Sequence, residues 1–554
     1  MKLKRKHAVF LVFALFSLVF FLVNLSTIDD YGYFGDEAWG YGFSGAILNY
    51  LKTGQNFMEG YSDTPYHGAL PYVFGNIFHT FLGERLGMGV PASFRVFPLI
   101  CYSLTLFVVF LFGYELFGLK AGICAFFMQA INPIYLSHSF NHHYDMGLSF
   151  FFLLTCYFFY KSFIQGKKVF IFLTALSFAL GFSCKFTIAL FFPCVILFLV
   201  FLFFFKRSYF FEKVRLAKSN LRWWLAFPFL VGFLSVLFYP WLWSAPLTNL
   251  LRLYLYYGKY PFPGSVLFFG KNFINGANMP HYYMITQLIV QLPVIVLLLF
   301  SSSVFFIFSK LVRRSDEAVF LPVIFFVFSA LFMSVGVGVF KTVHFVYVVP
   351  FIALICGFAF SEILQLFSGQ KKKNFFIAVV CILVFVAFFN LFSLFPLESS
   401  YYNFLVGGTE ESFGNFNHVS YSEGNALVID WVNSNVERGA SVYLIGNFDS
   451  KFSVFRSDII LVSNSSSADY TVLVGMPYKE LVVSEDKVVY AVFRKDAPLI
   501  RVIKGGNDLG DQLAEVSYAY GAPLRESAGF AALDKEKQRV MFGRLGFWDI
   551  VELI

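Results

Sequence analysis

Charge is what this chain has little of. Only 14% of its 554 residues are Asp, Glu, Lys or Arg, while 58% are apolar and 21% aromatic. A water-soluble protein of that length has no core large enough to bury so much apolar surface. Cysteine is scarce as well: the seven, at 101, 124, 156, 184, 194, 356 and 381, all lie in apolar runs or at their edges. No two form a Cys-x-x-Cys and the polar C-terminal segment has none, which excludes a disulfide framework and a cysteine-type zinc site. A phosphate-binding G-x-x-x-x-G-K-[ST] loop is missing too.

What is present is a series of apolar runs, each of roughly membrane-spanning length. They fall at approximately 8–25, 96–117, 119–137, 146–162, 169–184, 187–205, 223–240, 284–309, 318–339, 343–366 and 374–395. The first carries a basic head but no small-x-small cleavage site, so an uncleaved span is expected rather than a signal peptide. With the N-terminus placed inside, the inside connections read "MKLKRK", "GLK", "KSFIQGKK", "KRSYFFEKVRLAKSNLR", "KLVRRSDE" and "SGQKKK". Every one is basic, as the positive-inside rule requires. The same distribution explains the formal charge of +8 without nucleic acid. The expectation is a polytopic α-helical membrane protein of about eleven spans in the cell membrane, with its N-terminus cytoplasmic.

Two polar regions then fall outside: a first loop, about 26–95, and a tail, about 396–554. The tail reads as an extracytoplasmic α/β domain. "ALVIDWVNSN" is helix-like, and "ASVYLIG", "DYTVLVG" and "KVVYAVFR" are strand-like. The division expected is 1–395, a multi-pass catalytic domain, and 396–554, a soluble domain. The inside loops are too short to fold a nucleotide-binding domain. Chemistry on the outer face needs a substrate whose activating group arrives by membrane, and a lipid phosphate meets that condition.

Three constellations carry candidate chemistry. The first is "YFGDEAWGYGFSGAILNYLKTG", 33–54. Trp39, Phe43, Ile47 and Tyr50, with Leu51 beside them, share one face of a helix. Asp36 and Glu37 stand at its N-terminus. A carboxylate there caps the helix and complements its dipole for about 1 kcal/mol; one partly desolvated beside a membrane slot also serves as a general base. The second is "SHSFNHHYDMG", 137–147, where Asp145 opens a span next to His138, His142 and His143. It reads as a polar turn that orients substrate or as a metal site. The third is a set of cations at outer span ends: Arg95, Lys185, Lys341 and His344. Snorkelling accounts for such residues by default. A cation flanked by apolar residues, as Lys185 is in "GFSCKFTIALFFP", is costly unless an anion meets it.

These residues resemble a family: the membrane glycosyltransferases of the class C fold, and within them glycosyltransferase family 39, the protein O-mannosyltransferases and the aminoarabinose transferase. "GDEA" matches the family's Asp-Glu pair and "FRVFPLI" its Arg-x-x-Pro segment. "NPIYLSHSFNHHYDMGLSFFFLL" looks like its turn ending in Asp, "GFSCKFTIALFFP" like its Gly-to-Lys segment, and "YYNFLVGG" (401–408) like a post-membrane segment of bacterial and archaeal relatives. Where many relatives carry Lys-Pro or Pro-Pro, this chain has Thr64-Pro65 between Asp63 and His67. The resemblance implies transfer of a sugar from a polyprenyl-phosphate donor to a hydroxyl acceptor, whether glycan, lipid or protein. Asp36, Glu37 and Asp145 would be catalytic. Arg95, Lys185, Lys341 and His344 would bind the donor phosphate, and His142, His143, Asp63 and His67 would orient substrate. No cofactor is required, although a divalent metal is imaginable. The alternatives are an oligosaccharide transferase and a transporter or flippase of lipid-linked sugars. A transporter would place ionisable residues near the midplane, whereas the notable charges here lie at span ends.

Overall fold

The apolar runs fold as helices, as they must where lipid offers the backbone no partner. The computed structural model describes residues 2–32, 37–55, 64–141, 144–258, 265–274, 279–313, 317–335, 342–418, 423–445, 455–463, 465–474, 487–494 and 497–505. Asp36, Asp63, His142, His143 and Lys341 lie outside them.

Helices of eight residues or more run in the order α1 (Lys2–Ser26), α2 (Glu37–Thr53), α3 (Leu70–Phe78), α4 (Val90–Phe117), α5 (Leu119–Ala130), α6 (Tyr144–Gln165), α7 (Lys168–Phe182) and α8 (Phe191–Phe205). Then come α9 (Arg207–Lys218), α10 (Leu221–Phe238), α11 (Pro246–Gly258), α12 (Tyr283–Val290), α13 (Val294–Val312), α14 (Phe320–Val335), α15 (Val349–Leu366), α16 (Gln370–Leu394) and α17 (Asn425–Asn435).

The chain is a multi-pass membrane protein. Among the described residues, eight helices are long and apolar enough to cross a bilayer, or nine if the bent pair Leu119–Ala130 and Pro133–Phe140 counts as one span. The eleven expected spans are therefore not all of full length. α7 and the Phe320–Ser334 stretch are apolar but shorter; fifteen residues of helix rise only about 22 Å against a hydrocarbon core of about 30 Å. The run expected at 284–309 is broken after Val290, and Pro293, which has no amide hydrogen to donate, stands just before the new start at Val294.

α4 and α15 are the most enclosed spans, while α1, α10 and α16 form the rim. Close packing at the centre needs small residues. A Cβ on Gly357 would lie 2.4 Å from the Ala121 carbonyl oxygen, so α5 and α15 meet there only because that position has none.

Beyond α16, strands β3 (Ser441–Ile445), β4 (Ile460–Leu461), β5 (Tyr470–Val474), β6 (Val488–Arg494) and β7 (Ala497–Lys504) follow a hairpin, β1 (Ser265–Phe268) and β2 (Lys271–Ile274), that lies earlier in the chain. The sheet order is β4-β3-β5-β7-β6; β3 is parallel to β4 and β5, and β7 is antiparallel to β5 and β6. β5 is buried along its whole length, as a central strand covered on both faces must be. Val428 and Val432 of α17 pack with Val442, Val472 and Ile500 of the sheet. The helix and three strands read from the sequence are present; β7 and the short β4 join them.

Candidate active site

α2 begins at Glu37, one residue after Asp36. Phe43 and Ile47 are fully buried and Tyr50 half-buried, as their helical spacing requires, but Leu51 is exposed. Gly40, Gly42 and Gly45 of α2 have the G-x-G-x-x-G spacing of a dinucleotide loop. They lie inside a helix rather than in a strand-to-helix turn, and so lack the context that such a loop requires.

Glu37 is completely buried. Arg95 of α4 grips it with two parallel hydrogen bonds, Nε to Oε1 at 2.8 Å and Nη2 to Oε2 at 2.7 Å. Two further guanidinium donors go to the carbonyl oxygens of Ile28 (3.1 Å) and Gly32. A bidentate pair of this kind fixes direction as well as charge. Arg95 thus holds the chain on both sides of the segment that contains Asp36: Gly32 before it and Glu37 after it. The sequence expectation for Arg95 was donor phosphate. The structure turns its donors onto protein groups instead, with 0% of the residue exposed.

The second ionic cluster assembles residues from three separate segments. Lys185, in the break after α7, donates from Nζ to Asp145 Oδ1 at 2.8 Å and to His344 Nδ1 at 2.8 Å. His344 Nδ1 also lies 3.4 Å from Asp145 Oδ2. The ammonium stands over the Tyr144 ring, 4.7 Å from its centroid. Asp145 is completely enclosed, Lys185 nearly so, and the His344 side chain is 17% exposed, which makes it the accessible edge of the cluster. Lys185 Nζ sits between Asp145 and His344 and bridges the two side chains. An ammonium has three donors; Asp145 and His344 use two.

The break that carries Lys185 is pinned from several directions. Ser183 accepts the Leu70 amide on its carbonyl (2.9 Å) and donates its hydroxyl to Phe238 O (2.6 Å). Gly68 has φ +85°, and a Cβ there would lie 2.3 Å from the Ser183 carbonyl oxygen, so the first loop rests directly on this break. His67 stacks flat on Tyr144, with centroids 4.4 Å apart and planes at 9°. Its Nδ1 lies 3.2 Å from the Tyr257 hydroxyl, which donates to the Tyr66 carbonyl. Tyr66 in turn stacks on Tyr256 (4.2 Å). Aromatic residues of α11 therefore clamp the first loop against the Lys185 cluster.

Asp145, Lys185 and His344, singled out in the sequence, are thus brought into one cluster, with His67 joined to it through Tyr144. Glu37 and Arg95 form a separate pair. Tyr144, Tyr256 and Tyr257 were not anticipated as site residues. The available signal was the aromatic density of the loop after α10. The "YYNFLVGG" segment docks on α12: Asn403 donates its side-chain amide to the Ile289 and Leu292 carbonyls, at 2.8 and 3.0 Å.

Comparison with known proteins bears on the same stretch of chain. Residues 80–219 match the family of dolichyl-phosphate-mannose-protein mannosyltransferases. The match takes in Arg95, Asp145 and Lys185 and bears out the resemblance seen in the motifs. It spans about a quarter of the chain. No match is found among curated proteins. Among solved structures, ArnT from Cupriavidus metallidurans aligns over 91% of this chain and 99% of its own, with a TM-score of 0.49 and 11% identity. The same protein bound to undecaprenyl phosphate aligns over 89% and 97%, with a TM-score of 0.47 and 12% identity. The oligosaccharyltransferase of Archaeoglobus fulgidus aligns over 69% and 55%, with a TM-score of 0.48 and 15% identity.

Proposed function

We propose that this chain is a membrane glycosyltransferase that moves a sugar from a polyprenyl-phosphate donor to a hydroxyl acceptor. The observation that carries this function is the convergence of Lys185, Asp145 and His344 from three distant segments, beside a first loop that Arg95 anchors on both sides of Asp36. Lys185, paired with Asp145 and bonded to His344, keeps a third N–H donor for the donor phosphate.

In this mechanism Asp36 accepts the proton of the acceptor hydroxyl as that oxygen bonds to the anomeric carbon. The bond from that carbon to the phosphate oxygen breaks, its electron pair leaves with the polyprenyl phosphate, and the configuration inverts. The third donor of Lys185 meets the charge that builds on the phosphate, and His344 and Lys341 assist. General-base help is worth about 10²–10⁴ in rate, and charge stabilisation fixed in advance is often the larger contribution. Glu37, Arg95 and Asp145 touch no reacting atom: the first two set Asp36 and the third aims Lys185. His67, with Asp63, His142 and His143, orients substrate. Phosphate charge met by a protein cation leaves catalysis with no need of a metal.

The active end faces the outside of the cell membrane and the N-terminus lies in the cytoplasm, because the basic connections cluster at the opposite end. The same orientation places the tail that follows α16 outside the membrane. The function is tested by incubating purified protein in nanodiscs with a panel of polyprenyl-phosphate hexoses and pentoses and following release of the lipid phosphate. Turnover of at least one donor is expected. Hydrolysis and transfer absent for every donor, with translocation of the lipid instead, would overturn it.

A further inference from the structure

One buried tyrosine joins three parts of the chain, two of which lead to residues of the proposed reaction centre. Tyr31 lies five residues before Asp36, and Phe140 five before Asp145. The two rings stack face to face, with centroids 3.9 Å apart and planes at 16°. The Tyr31 hydroxyl donates to Glu398 Oε1 at 2.9 Å, where the chain has just left α16 for the tail. The Tyr31 carbonyl accepts the amide of Gly424, at the start of α17, at 3.1 Å. Phe395 meets the Tyr31 ring edge-on at 5.5 Å. Tyr31 and Glu398 are both essentially excluded from solvent.

The next residue repeats the arrangement. Gly32 gives its carbonyl to Arg95 and has φ +69°, and a Cβ there would collide with Asn425 of α17. The backbone entering the Asp36 segment is therefore held from one side by Arg95 and from the other by the tail. A carboxylate is costly to bury without a hydrogen-bond donor, and Glu398 accepts the only donor that the Tyr31 side chain has.

We infer that Tyr31 and Glu398 are positioning residues for the transfer reaction, and that the start of the tail is a structural part of the active site. The inference rests on the proposed function above. The hydroxyl-to-carboxylate bond locks the tail onto Ile28–Gly32, and the Tyr31–Phe140 stack keeps that stretch in register with the turn leading to Asp145. Misplacement of a catalytic group by about 1 Å costs of order 10²-fold in rate, so loss of the lock should appear in kcat rather than in donor binding.

The test uses the full chain. Tyr31→Phe keeps the ring stack and removes only the hydroxyl; Glu398→Leu removes the acceptor; Glu398→Gln keeps an acceptor oxygen. Tyr31→Phe and Glu398→Leu are each expected to lower kcat per folded molecule about tenfold or more, with KM for the lipid donor within about twofold of wild type. The double variant should be no slower than the slower single one, and Glu398→Gln should recover most of the rate. Unchanged kcat in both single variants, losses that multiply in the double variant, or a loss confined to the yield of folded protein would overturn the inference. If the wild type transfers no sugar from any lipid donor, the proposed function has failed instead.

Discussion

At the scale of the residue, two ion pairs divide the work. In the proposed mechanism Lys185 meets the donor phosphate, whereas Arg95 holds protein groups. Lys185→Ala should weaken binding of a polyprenyl phosphate and slow transfer at least 10²-fold; Lys185→Arg should recover little of either, because a planar fork cannot reproduce a compact ammonium between Asp145 and His344. Binding measured by titration of the lipid phosphate and initial rates check both statements, and loss of stability alone would return Lys185 to a snorkelling role. Arg95→Ala breaks a buried bidentate pair, a change that typically costs about 3–5 kcal/mol because it strands the Glu37 carboxylate. Its melting temperature should fall steeply, and an unchanged melt would contradict the anchor described here. Asp145, Lys185 and His344 were legible in the sequence as residue types, since charges in apolar surroundings have to find partners. Their pairing was not, because nothing local connects residues 145, 185 and 344. Arg95 shows the same limit: its apolar flanks announce burial, but only the fold reveals that its anion is Glu37.

At the scale of the element, the tail is tied down by buried polar groups rather than by apolar packing alone. His418 is fully buried, with Nε2 3.0 Å from the Ser412 hydroxyl. Burial pushes its imidazole from the ordinary 6.5 down to about 4. The folded chain therefore keeps it neutral, while the unfolded chain takes up a proton below pH 6.5. Its contribution is fully present above that value and is lost as the pH falls toward 4, by up to about 3 kcal/mol. Melting temperatures measured between pH 7.5 and 4.5 should decline on the acid side, and His418→Phe should flatten the decline; an equally steep profile in the variant would contradict this assignment. Helix and strand identity were largely legible. Fifteen-residue α7 and the break before Pro293 were not, because hydropathy reports that a run is apolar and not whether its helix is long or continuous. Tyr31 and Glu398 carry no periodic signal in their loops, and only the docking of the tail shows their importance.

At the scale of the whole molecule, the arrangement amounts to a helical body whose spans end in charged residues, closed at one end by aromatic loops and an α/β tail. Two consequences follow from the proposed placement and chemistry. In a Cys381→Ser background, where the remaining native thiols are buried, a cysteine introduced by Ser457→Cys in the tail should react with an impermeant thiol reagent on intact cells. One introduced by Ser219→Cys, in the basic connection after α9, should not; the reverse pattern would invert the topology. Transfer should also survive treatment with EDTA, because the proposed mechanism meets the phosphate charge with Lys185 and no metal ion; loss of activity restored by a divalent ion would contradict that mechanism.

The central claim is that Asp36 takes the acceptor proton while the Lys185 cluster holds the lipid phosphate. Asp36→Asn, assayed side by side for donor-lipid binding and for single-turnover transfer, tests it most directly. The account predicts binding within about twofold of wild type and transfer slower by 10²-fold or more; transfer at the wild-type rate would contradict it.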